Sequence, residues 1–170
     1  MARHRLRLHS KGIDDMIKTN TANSAASTAT IAALNDAVRE NIHRPQGFNQ
    51  IVVTAGISAM IGDATLWTAF RRQRQLLRLV REYGDFSEGN DPHGERDFGA
   101  FEWQGTRCFW KIDYYDPKLE WGSNDPTDPA QTARVLTILR AVYFLSLVGR
   151  GRGLRRPASL PQQEGAIPYS

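Results

Sequence analysis

The chain has 170 residues, 41% of them hydrophobic and 24% charged, with one cysteine and a net charge of +4. That mix belongs to a folded domain with a core, which excludes a disordered chain, and a lone cysteine excludes an internal disulfide framework, as suits a reducing compartment. No secretory signal is legible, and the greasiest run, 135–148, contains Arg140 and falls short of the roughly 20 residues a bilayer crossing needs, so a soluble cytoplasmic protein is expected.

The charge is unevenly spread. Residues 84–129 hold eleven acids and four bases, a net −7, so the remainder carries +11. Net charge alone therefore does not argue for nucleic acid as a partner. The segment 1–26 has little apolar content and reads as a flexible basic and polar leader. In 149–170, alternating Gly and Arg followed by Pro157, Pro161 and Pro168 read as a flexible tail. One folded unit over about 27–148 remains, with no internal repeat.

Ile31, Leu34, Val38 and Ile42 recur at three, four and four, which predicts a helix over about 28–43, capped by Ser27 or Thr28 and stopped by Pro45 and Gly47. Ile51-Val52-Val53 predicts a strand over about 48–54. A second helix is expected over about 64–83, with Asp63 as N-cap and Leu66, Phe70, Leu77 and Val80 as its buried stripe. On another face of it Arg71, Arg74, Arg78 and Arg81 recur at three, four and three.

Arg96–Trp103 and Thr106–Tyr115 read as two strands joined by Gln104-Gly105, and a two-residue loop fixes their register. Trp103 then faces Thr106, Glu102 faces Arg107, Phe101 faces Cys108, Gly99 faces Trp110 and Arg96 faces Asp113. Phe101, Trp103, Cys108, Trp110 and Ile112 share the expected core face, with Cys108 as a small buried residue. A short third strand is expected at Leu119–Trp121. Asp128, Pro129 and Gln131 have the spacing of a capped helix start, so a last helix is expected, burying Leu136, Leu139, Val142 and Tyr143. The fold class is thus α+β: helix, strand, helix, hairpin or meander, helix, with an antiparallel sheet against helices.

Two regions carry candidate chemistry. Asp91, His93, Glu95 and Asp97 alternate, and on an extended strand they would share a face that Asp113 and Asp116 could close. His93, Glu95, Asp113 and Asp116 would then serve as acid and base, with Asp91 and Asp97 as ligands to a divalent metal. Pro92 and Gly94 argue instead for a turn whose polar groups serve the backbone, which is the simpler reading. Lys111 beside Asp113 lies on the face opposite the aromatics, where paired surface charges are the simpler reading. The second region is the stripe Arg71, Arg74, Arg78 and Arg81, suited to phosphate contact or to a solvated helix face. No zinc spacing, hydrolase triad or phosphate-binding glycine loop is present.

The strings Asn-Asp-Pro-His-Gly-Glu (90–95), Asp-Phe-Gly-Ala-Phe (97–101), Phe-Trp-Lys-Ile-Asp-Tyr-Tyr-Asp (109–116), Gly-Ser (122–123), Asp-Pro-Thr-Asp-Pro (125–129) and Arg-Val-Leu-Thr-Ile (134–138) are specific together. They resemble a family of small proteobacterial proteins, frequent in alphaproteobacteria and on plasmids and integrative elements, known only as a domain of unknown function. The resemblance extends over about 31–139 and implies a mobile-element setting but no activity. The family usually has an acidic residue and a tyrosine just past Leu-Thr-Ile, where this chain reads Arg140-Ala141-Val142-Tyr143. A non-enzymatic interaction module is expected, binding protein or nucleic acid without a membrane and without a cofactor. The alternative is a small metal-assisted hydrolase or phosphodiesterase built on His93, Glu95, Asp97, Asp113 and Asp116.

Overall fold

A computed structural model describes residues 3–141, with side chains from residue 19 onward. The expected tail 149–170, Val142 and Tyr143 lie outside the described residues, as do the side chains of most of the expected leader. In chain order the elements are α1 (Arg3–Glu40), β1 (Gln50–Val53), α2 (Ala55–Ile61), α3 (Trp67–Arg81), β2 (Phe98–Trp103), β3 (Thr106–Tyr115) and β4 (Ala133–Arg140). The fold is α+β, as expected.

The sheet is mixed, in the order β1-β4-β3-β2, with β1 parallel to β4 and the other pairs antiparallel. Its alternate residues Trp103, Cys108, Trp110, Ile112, Leu136 and Ile138 face a core completed by Val38, Ile57, Leu76, Leu77 and Val80 from the helices. The opposite face carries the stacked rings of Phe98 and Phe109, 5.5 Å apart, and the Lys111–Asp113 ion pair.

The hairpin forms in the expected register, from Phe98 opposite Lys111 to Trp103 opposite Thr106. Gln104 and Gly105 both have positive φ, +50° and +68°, as a tight hairpin turn of primed type requires. Trp110 lies against the bare backbone of Gly99, where a Cβ would sit 2.3 Å from the indole nitrogen. The Cys108 thiol is buried, and burial pushes its pKa up.

Four expectations are corrected. The last helix is instead strand β4 over Ala133–Arg140, the sheet's centre, hydrogen-bonded on both sides. A central strand buried on both faces reads as a continuous apolar run, which periodicity cannot tell from a helix. The supposed cap closes a turn: Ala130 N donates to Asp128 Oδ1 at 2.8 Å and Gln131 Nε2 to Asp128 Oδ2 at 2.7 Å. No strand forms at Leu119–Trp121; Leu119 has φ +59°, and a lone bridge joins Tyr115 to Gly122.

The expected helix over 64–83 forms as α3, and a short helix not expected from the sequence, α2, precedes it, ending at Gly62; the cap and the buried stripe of α3 are what differ. Asp63 does not cap α3 but accepts from Thr65 N and Oγ1 in a local turn. Its buried face is Ala69, Leu76, Leu77 and Val80, whereas Leu66 and Phe70 are exposed. The two apolar stripes share Leu77 and Val80 and differ by roughly an eighth of a turn, and only the sheet selects between them. Finally, α1 is already helical at the proposed caps Ser27 and Thr28, because the preceding Ala, Ser and Thr residues contain no helix breaker.

Candidate functional site

The segment 87–97 is a loop folded by its own polar groups. Asn90 N and Asp91 N both donate to Ser87 O, and Gly94 N donates to Asp91 O. Both Asp91 carboxylate oxygens accept from Arg96 N, at 3.2 and 3.1 Å. This clamp holds Arg96 at φ +53°, an unusual backbone for a side chain of that size. Arg96 then reaches not Asp113, the expected partner, but Asp36 on α1, at 2.6 Å. Strand pairing starts only at Phe98, so positions 96 and 113 are never opposite one another.

Beneath the loop lies a buried polar network. Asn35 is fully buried on α1, and its amide donates to Glu95 O and to the Tyr114 hydroxyl, both at 2.8 Å. Tyr114 donates to the Glu95 carboxylate at 3.2 Å. Arg134, buried on β4, donates through Nε to Asn35 Oδ1 at 3.1 Å and through Nη2 to Pro126 O. Burial drives the Tyr114 pKa far above its ordinary value, with the Asp97 and Glu95 charges adding to it. Burial, then the Glu95 charge beside it, also raises Asp97. Arg39 is held similarly: it pairs with Asp36, donates to Tyr83 O at 2.9 Å and lies over the rings of Phe86 and Trp110.

The sequence candidates therefore divide. Asp91, His93 and Glu95 each stand within electrostatic range of Asp97. Asp113 is on the opposite sheet face with Lys111, and Asp116 accepts from Glu120 N at 2.8 Å in the turn after β3. Among the described residues no group of three or more His, Cys, Asp or Glu side chains is arranged to hold a metal ion. The convergence that metal-assisted hydrolysis requires is thus not found there. An open groove of about 830 Å³ runs between α1 and Gly94–Arg96, lined by small residues such as Ser24, Thr28 and Ala32.

The arginine candidates do lie together. Helix α3 carries five arginines and no acid. Trp67, Phe70, Arg71, Arg74, Arg78 and Arg81 follow at i, i+3, i+4, i+7, i+11 and i+14, the spacing of one helix face, and all are exposed. Trp67 is 68% and Phe70 44% exposed, and their rings stack at 5.3 Å. The Arg74 guanidinium lies 5.7 Å from the Phe70 centroid. Arg78 and Arg81 share Glu82, at 4.0 and 3.0 Å; Arg71 and Arg74 have no carboxylate partner among the described residues.

A family model described as "Protein of unknown function (DUF3768)" matches residues 53–142, more than half of the chain. The chain belongs to the DUF3768 family. No curated protein and no solved structure matches it. The DUF3768 match takes in α2, α3 and β2 to β4, and so both the polar loop and the arginine face. Asn35 and Asp36, which fasten the loop from α1, lie upstream of it. No helix among the described residues is long and apolar enough to cross a membrane.

Sequence reasoning missed Asn35, Tyr114 and Arg134 as a linked set, since their contacts span up to 99 residues. It also missed Trp67 and Phe70 as surface groups. Their helical phase with Arg71 and Arg74 was the signal available.

Proposed function

We propose that this DUF3768 protein is a non-enzymatic nucleic-acid-binding module of the cytoplasm and that the outward face of α3 is its contact surface. The observation that carries the reading is that face itself: arginines at 71, 74, 78 and 81 on a helix with no acid, beside solvent-facing aromatic rings. Exposed guanidinium groups on one helix face suit phosphate oxygens, and each phosphate neutralised releases counterions. The polar loop supports the reading by contrast, since its Asp91 and Glu95 carboxylates are engaged with the Arg96 backbone and the Tyr114 hydroxyl. The plasmid and integrative-element setting implied by the resemblance suits an accessory that touches nucleic acid.

The test is fluorescence anisotropy with labelled nucleic acid across a salt series. Wild type should bind at low salt and weaken steeply as salt rises. Reversal of Arg71, Arg74, Arg78 and Arg81 to Glu should abolish binding, and neutralising any one should lower the salt slope by about 0.7–0.9. Unchanged retention by the fourfold reversal variant would show that another surface makes the contact.

A further inference from the structure

Resting on the reading above, we infer that the α3 face takes single-stranded nucleic acid, with the Trp67–Phe70 pair as a stacking platform for unpaired bases and Arg71 and Arg74 as phosphate contacts. Large aromatic rings left in water are unfavourable unless a partner covers them. Here the two rings are large apolar side chains left exposed on a helix whose Ala69, Leu76, Leu77 and Val80 are buried. They stand one turn from Arg71 and Arg74, so a strand lying along the helix meets rings first and guanidinium groups next. A shallow groove of about 310 Å³, lined by His43, Phe70, Gln73, Arg74 and Leu77, adjoins the ring pair and gives a splayed base a polar wall.

Charge decides the class of occupant. Five arginines without an acid repel a basic partner and attract a polyanion. Aromatic rings interleaved with arginine on the same face add stacking that an acidic polypeptide lacking aromatics does not use. Duplex nucleic acid supplies the same phosphates but keeps its base faces stacked on each other, out of reach of Trp67 and Phe70.

The experiment compares the full chain with labelled single-stranded DNA of about 16 nucleotides, the upper end of a single-strand site, with the same sequence as a duplex, and with polyglutamate. The single strand should bind more tightly than the duplex. Trp67→Ala with Phe70→Ala should weaken single-strand binding about tenfold and leave duplex binding unchanged. Trp67→Phe, which keeps a ring, should retain most of the affinity. Both residues are exposed, so circular dichroism and the unfolding midpoint should match wild type.

Equal or tighter duplex binding, or a double-alanine variant with wild-type single-strand affinity, overturns the inference. The wider nucleic-acid reading then stands if Arg71→Glu with Arg74→Glu still loses binding. If no nucleic acid binds, or polyglutamate binds as tightly as the single strand, both readings fall.

Discussion

The polar loop over 87–97 and the outward face of α3 are both rich in charge, yet they differ in what that charge is bonded to. In the loop, Asp91 holds the Arg96 backbone, Glu95 holds Tyr114, and Arg96 holds Asp36. On α3, Arg71 and Arg74 meet no carboxylate among the described residues, and two aromatic rings stand beside them in solvent. A group already satisfied within the fold contributes stability, and breaking it leaves its partner buried and unpaired. A group left unsatisfied on the surface adds little stability and remains open to a ligand. This contrast supports the proposal that the loop serves the fold and the helix face serves binding.

Replacing Asn35 with Ala should have the largest effect on stability. It removes three side-chain hydrogen bonds and strips the buried Arg134 guanidinium of one acceptor. A loss of about 3 kcal/mol is expected in urea unfolding. A loss below about 0.5 kcal/mol would mean the network is not what holds the loop to α1.

Gly99→Ala comes next. Its Cβ would meet the Trp110 indole, which is itself pinned by Tyr83 and Phe86 at 5.6 and 6.4 Å. Overpacking of this kind costs about 1–3 kcal/mol, and near-ultraviolet circular dichroism should report the displaced indole. An unchanged spectrum and midpoint would contradict the hairpin packing.

Asp97→Asn should act in the opposite direction. Burial and the Glu95 charge raise the Asp97 carboxyl, so the folded chain holds that proton more tightly than the unfolded chain does. The stability this proton contributes is full below the ordinary aspartate pKa and is lost as pH rises through the raised value. Asn at this position should raise the unfolding midpoint at neutral pH and flatten that part of the pH profile. A midpoint lowered at neutral pH would sink the assignment.

The smallest stability effect belongs to α3. Reversing Arg71 and Arg74 should shift the unfolding free energy by no more than about 0.5 kcal/mol while removing nucleic-acid binding. A large stability loss would place these arginines with the loop residues instead and dissolve the contrast between the two regions.

Much of the hairpin is legible in the sequence. Gln104-Gly105 sets a two-residue turn, and side chains alternate with period two, so the position of Trp110 over Gly99 follows from counting. The arginine spacing was equally legible, because helical phase is a local property. The polar loop was half legible: its turn-forming residues were visible, but the partner of Arg96 was not, since Asp36 lies sixty residues away.

The sequence by itself determined what neighbouring residues decide among themselves: the tight turn, the strand register beside it and the stripe on α3. Only the tertiary structure decided that Ala133–Arg140 is a central strand, that Phe70 faces water and that Asn35 joins Arg134 to Tyr114. The reason is physical. An apolar run becomes strand or helix according to which hydrogen-bond partners are at hand, and β4 finds its partners in β1 and β3, segments distant along the chain.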